Sequence, residues 1–185
     1  MYSNIDILNA IENGGLSVEP FEKEMVKAAG LTLHLGSLLL KPLPEKIVDI
    51  KNGITPDFQE IYLTDEKPYC LAPGEFLLGH TYEKVSVGAS IGFFIEGRST
   101  LARVGLTIVQ TAMLVYPGHR NRTVTLELAN HGPNKILLYP QMKVARAAIM
   151  ELKTPSTIVY DEAGKYREQE LVGKPIFKNE ILPTK

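Results

Sequence analysis

Three groups of residues could do chemistry. Gly97-Arg98-Ser99-Thr100-Leu101-Ala102-Arg103 sets a glycine, two hydroxyls and two arginines within seven positions. Glycine allows a tight strand-to-helix turn. The hydroxyls and amides behind it would lie at a helix N-terminus, where anions are favoured, and Arg98 and Arg103 add charge-assisted donors. The pattern suits a phosphate cradle without the Walker glycine-lysine arrangement. It equally describes a capped helix with two surface arginines. Glu127 stands as a carboxylate inside an otherwise apolar strand. Drawn out of water it would suit proton shuttling; on a solvent face it would do none. Lys165 and Gln169 are four residues apart, the spacing of one face of a helical turn, in a stretch that also reads as a solvated charged turn.

These groups must be positioned largely by strands. Residues 3–13 read as a short helix: Ser3 caps it, Asp6 completes a capping box, Ile5, Leu8 and Ile11 form an apolar stripe, and Gly14-Gly15 ends it. From Leu31 the period changes to two, with Leu31, Leu33 and Leu35 alternating with Thr32 and His34 as in a half-buried strand. Strand-like runs follow at Ile61–Leu63, Phe76–Thr81, Ser90–Glu96, Thr107–Gln110, Thr123–Leu128, Lys135–Tyr139 and Val144–Leu152, separated by Pro73-Gly74, Pro117-Gly118 and His131-Gly132-Pro133-Asn134. Many short strands at such spacing predict an all-β barrel or sandwich. Ser99–Val104 reads as a short helix opening after Gly97-Arg98. Beyond Leu152 the chain turns to prolines and charges, a composition that favours a frayed tail over an arm laid on a partner or ligand.

Composition narrows the class. The 185 residues are 44% apolar and 22% charged with a net charge of -1, the ordinary globular range for one domain. No basic excess points to nucleic acid. Cys70, the only cysteine, cannot form an intrachain disulfide, and it cannot supply the Pro-Cys-x-x-Cys ligands of a zinc deaminase. No apolar run of membrane-spanning length and no secretory leader is visible, so the expectation is a cytoplasmic protein without a membrane partner.

The Gly97–Arg103 segment resembles the Gly-Arg-Ser-Ser-Leu-Ala-Arg signature of dCTP deaminases, related to the phosphate motif of trimeric dUTPases. Val104-Gly105-Leu106, Thr111-Ala112, Pro117-Gly118, Thr125-Leu126-Glu127-Leu128, Asn130-His131-Gly132-Pro133, Tyr139-Pro140 and Ala163-Gly164-Lys165-Tyr166-Arg167-Glu168-Gln169 continue the resemblance in order across residues 90–170. The resemblance implies a mainly β, dUTPase-like barrel, a distorted jelly roll. It would have a short N-terminal helix, a short helix after Gly-Arg-Ser, and a single domain over 1–185 whose residues 153–185 form an arm closing over the nucleotide. It implies hydrolytic deamination of dCTP to dUTP and ammonia, with Glu127 as general base and acid. Arg103, Ser99, Thr111 and Ala112 would join it in catalysis, the Ala112 carbonyl holding the water. Arg98, Ser99, Thr100, Arg103, Tyr116, Thr125, Leu126, Tyr160, Lys165, Tyr166 and Gln169 would bind the deoxypyrimidine triphosphate. Magnesium would arrive on the phosphates rather than in a protein cage. A homotrimer is implied, with Arg98 and Thr100 serving a neighbour's Glu127.

The chain also departs from the pattern. Tyr116 stands where the family has an aspartate before the turn, and a tyrosine, with a pKa near 10, is a poor water activator. Met113 and Leu114 replace a His-Arg pair. The turn His119-Arg120-Asn121-Arg122 is one residue longer, Gln141 replaces a glycine after Pro140, and Thr32-Leu33-His34-Leu35-Gly36 loses an Asp/Arg ion pair. Alongside the deaminase, two alternatives therefore remain: a dUTP diphosphatase or bifunctional enzyme, and a triphosphate-binding regulator without turnover.

Overall fold

The computed structural model describes residues 1–181; the last four positions of the expected arm lie outside the described residues. In chain order the strands are β1 (Leu16–Glu19), β2 (Val26–Lys27), β3 (Gly30–His34), β4 (Leu38–Pro42), β5 (Phe58–Tyr62), β6 (Tyr69–Leu71) and β7 (Phe76–His80). They continue as β8 (Lys84–Val87), β9 (Ile91–Gly97), β10 (Leu106–Thr107), β11 (Leu114–Val115), β12 (Thr125–Asn130), β13 (Ile136–Leu138) and β14 (Lys143–Glu151). Short helices α1 (Asn4–Glu12), α2 (Ser99–Ala102) and α3 (Tyr160–Ala163) accompany them. Two five-stranded sheets, ordered β10-β12-β7-β4-β5 and β11-β9-β14-β3-β2, carry the barrel. The two-stranded pairs β1-β8 and β13-β6 sit beside them. All pairings are antiparallel, as the mainly β, jelly-roll expectation requires.

One apolar cluster joins the two large sheets: Leu33, Phe93, Ile95 and Ile149 from one, Leu39, Leu77, Leu126 and Leu128 from the other. Leu126 and Leu128 are both 0% exposed. Each such side chain contributes about 1.5–3 kcal/mol by leaving water. Their burial fixes the register of β12, since a slip of one residue would reverse both faces. Glu127, between them, is thereby turned to the opposite face.

The N-terminal helix has its capping box, with Asp6 accepting from the Ser3 amide at 2.8 Å and Ser3 Oγ accepting from the Asp6 amide at 3.2 Å. Its buried face differs from the expected stripe: Ile7 is fully buried with Ala10 and Ile11 against the core, and Ile5 is 63% exposed. The expected stripe holds at Ile11 and fails at Ile5, because Ile5 and Ile7 both fit an apolar period near the cap. Strand β3 is buried on both faces, Thr32 included, rather than half-buried as its alternation predicts. The ion pair lost at His34 is replaced from elsewhere: His34 Nδ1 lies 2.5 Å from Oε1 of the buried Glu83, whose Oε2 accepts from the His34 amide at 3.0 Å. Gln141 adopts φ 59° in the position where glycine was expected.

Candidate active site

Glu127 lies in the wall of a cavity of about 470 Å³. Thr123, Thr125 and Glu127 line it from β12 and its approach, Ala112, Leu114 and Tyr116 from β11 and its flanks. Half-buried Glu127 is fixed by the loop opposite: its Oε2 accepts from the Gln110 amide at 2.7 Å and from the Thr111 amide at 3.4 Å. Its own amide donates to the Ile108 carbonyl at 2.9 Å. Oε1 has no hydrogen-bond partner among the described residues and is left to face a ligand. Such a carboxylate, held at one oxygen and free at the other, can accept and return a proton without having to reorient. The sequence pointed to Thr111 and Ala112; it gave no sign of Gln110, which contributes a backbone amide and so leaves no side-chain signal.

The segment after Leu152 roofs this cavity and is not frayed. The Tyr160 amide donates to the Pro117 carbonyl at 2.8 Å, and Arg122 Nη2 donates to Asp161 Oδ1 at 2.5 Å. Thr123 Oγ1 donates to the Glu170 carbonyl at 3.1 Å and Gln169 Nε2 to Thr125 Oγ1 at 2.9 Å. These contacts, invisible in composition, offset the ordering entropy that a charged, proline-bearing tail would otherwise keep. Gly118 makes the approach possible: it holds φ 78°, and a Cβ there would lie 2.4 Å from the Val159 Cβ. Tyr160, Tyr166, Gln169, Gly173, Pro175 and Phe177 of the arm line it too, together with Phe58, Phe76 and Leu78 of β5 and β7.

Aromatic rings crowd the end of the cavity beside Pro117. Tyr116 and Tyr160 stand parallel, centroids 6.4 Å apart and planes 5° apart, and His119 tilts against Tyr160 at 5.7 Å. Burial pushes the His119 imidazolium pKa below its ordinary value, and also raises the Tyr160 phenol, so both rings are neutral near pH 7. The Arg122 guanidinium holds the Asp161 carboxyl below the usual range.

The structure brings only part of the expected set together. Ala112, Tyr116, Thr125, Glu127, Tyr160, Tyr166 and Gln169 share the cavity, and Thr111 reaches it through its amide. Arg98, Ser99, Thr100 and Arg103 do not line it. They stand on α2 and its flanks, where Gly105, at φ 86°, packs against Gly132 beyond the far end of β12. Ser99, Thr100 and Arg103 are exposed, and among the described residues the Arg98 side chain makes one hydrogen bond, Nη1 to the Lys143 carbonyl at 3.3 Å. The side chain of Leu126 belongs to the core, which leaves its backbone as its one contribution. Lys165 and Gln169 do not share a helical face: α3 ends at Ala163, Lys165 Nζ pairs with Glu180, and Gln169 turns to Thr125. The helix stops because its last turn closes on Gly164, whose backbone is extended (ψ 137°).

The dCTP deaminase-like family matches residues 1–152. A protein of Corynebacterium diphtheriae named dCTP deaminase, dUMP-forming, is 33% identical over 178 residues, covering 91% of this chain and 92% of its own. A dCTP deaminase of Haloarcula marismortui is 32% identical over 175 residues, covering 90% of this chain and 89% of its own. The crystal structure of 2'-deoxycytidine 5'-triphosphate deaminase from Agrobacterium tumefaciens superposes with a TM-score of 0.63 at 15% identity, over 91% of this chain and 53% of that one, and so shares the fold. The chain belongs to the dCTP deaminase-like family.

Proposed function

We propose that this protein hydrolyses the 4-amino group of dCTP, giving dUTP and ammonia. The observation that carries the reading is Glu127, pinned at Oε2 by two backbone amides in a roofed cavity, in a chain about one-third identical to proteins named dCTP deaminase. Glu127 takes a proton from a water held by the Ala112 carbonyl and Thr111. The water oxygen bonds to C4 while Glu127 delivers the proton to N3. Glu127 then moves the proton of the C4 hydroxyl to the amino nitrogen; the C4 carbonyl forms as the C4–N bond breaks, and ammonia leaves.

The triphosphate is bound by Arg98, Ser99, Thr100 and Arg103 of a neighbouring subunit in a homotrimer, because these residues do not reach the Glu127 of their own chain. Lys165, Tyr166 and Gln169 close over it, Lys165 exchanging its Glu180 partner for phosphate, and Tyr116, Thr125, the Leu126 backbone and Tyr160 hold the nucleoside. Among the described residues Glu127 is the one carboxylate lining the cavity, and its Oε2 is already engaged. That donor set fits a magnesium ion brought by phosphate oxygens better than a protein cage. When bound, the ion would neutralise phosphate charge. No helix among the described residues is long and apolar enough to cross a membrane; the reading places the enzyme in the cytoplasm, over the whole of 1–185 as one domain.

A second reading has support of its own. Several relatives at 31–33% identity are named dUMP-forming, which favours a bifunctional enzyme that also splits dUTP; Tyr116 in place of a water-activating carboxylate speaks against it. The test is ammonia release from dCTP with magnesium, read beside pyrophosphate and a Glu127→Gln control. Ammonia without pyrophosphate, abolished in the control, supports the deaminase. Both products support the bifunctional enzyme. Triphosphate binding with neither product overturns both in favour of a regulator.

A further inference from the structure

Arg122 has no counterpart in the expected site, yet among the described residues it is the one arginine or lysine lining the Glu127 cavity. It comes from the lengthened turn between β11 and β12, where Asn121 holds φ 44° and donates its amide to Ser86 Oγ at 2.8 Å. The Arg122 carbonyl accepts from the Val85 amide at 2.8 Å, so the backbone that carries the guanidinium is tied to the barrel. Its Nη2 donates to Asp161 Oδ1 at 2.5 Å, while Nη1 is buried without a partner. Asp161 follows Tyr160 directly. The pair therefore acts on the residue whose ring stands parallel to Tyr116.

We propose that the Arg122–Asp161 pair is a positioning clasp: it holds the first turn of the arm on the barrel and sets Tyr160 parallel to Tyr116, making the aromatic wall on which a bound nucleotide packs. This rests on the nucleotide-binding reading above. A guanidinium that already lacks one partner tolerates poorly the loss of the other, so both members are needed. Neither touches the reacting atoms.

The experiment uses the full-length protein and three forms: Arg122→Ala, Asp161→Asn, and the exchanged pair Arg122→Asp with Asp161→Arg. Turnover of dCTP is measured beside the rate of tryptic cleavage after Lys165 and Arg167 without nucleotide. The clasp predicts a KM at least tenfold higher in each single variant with kcat changed less than threefold. It also predicts faster arm cleavage in both, and recovery of KM and protection in the exchanged pair. Unchanged KM and cleavage in the single variants, or an exchanged pair no better than either, overturns it. A wild-type chain that does not deaminate dCTP sinks the reading of the reaction instead. The cleavage rates and the dCTP affinity by calorimetry then decide the clasp by the same criteria.

Discussion

Glu127 and the Gly97–Arg103 segment are both expected to touch one nucleotide, and the chain holds them in opposite ways. Glu127 sits between two fully buried leucines and two backbone amides, under a roof. Ser99, Thr100 and Arg103 stand in solvent, and Arg98 has a single weak tether. The difference follows from what each must do. A group that moves protons gains from being fixed before substrate arrives, because reorganisation during the reaction is then avoided. Arginines would pay heavily for burial without a counter-charge, and Arg103 accordingly stays exposed. A single chain thus shows a fixed wall at Glu127 and an open Gly97–Arg103 segment.

The largest expected effect sharpens the first half of that contrast. Glu127→Gln keeps the shape and removes the proton carrier, so deamination should fall by about a thousandfold or more with the thermal midpoint little changed. A loss of folding instead would show that the carboxylate is structural. Next, Arg103→Ala should raise the KM for dCTP by about 10- to 100-fold, the equivalent of the 1.5–3 kcal/mol of a hydrogen bond to a charged group, with kcat less affected. A KM that stays put would remove Arg103 from the cradle.

A smaller effect concerns pH and the walls rather than the chemistry. Burial lowers the pKa of both His80 and His119 from their ordinary 6.5. In the unfolded chain these rings bind a proton more readily than in the fold, so their contribution is complete above pH 6.5 and declines as pH falls below it toward their lowered values. Scanning calorimetry should show a midpoint falling between pH 7 and pH 5, less steeply in His119→Asn. An unchanged slope would mean that His119 protonates as freely in the fold as in the unfolded chain. Smallest is Gln141→Gly: relieving φ 59° should stabilise by up to about 1 kcal/mol, read as a small rise in the midpoint without change in turnover.

The legible parts of the molecule were those with a local signal. Ser3 and Asp6 announced the first helix, alternating Leu31, Leu33 and Leu35 announced β3, and Gly97-Arg98-Ser99 announced the start of α2. Strands β1, β2, β4, β6, β8 and β11 escaped: Leu38-Leu39-Leu40 has no alternation because both its faces are covered, and β2 and β11 are two residues long each. In the site, Glu127 stood out because an acidic residue interrupts an apolar run. The Gln110 amide had no side-chain signature. Arg122 and Asp161 meet across 39 positions, and Tyr116 meets Tyr160 only because the arm folds back, a tertiary event that no local period encodes.

The central claim is that one nucleotide is held by the Glu127 of one subunit and the cradle of the next. It is tested most directly by mixing Glu127→Gln subunits with Arg98→Ala subunits, each inactive alone, and measuring ammonia release from dCTP. Random reassembly into closed trimers places an intact Glu127 opposite an intact Arg98 at about a quarter of the sites, and activity should return to that fraction of wild type. Hybrids that assemble and stay inactive would contradict the shared site, and would require Arg98 to serve the Glu127 of its own chain.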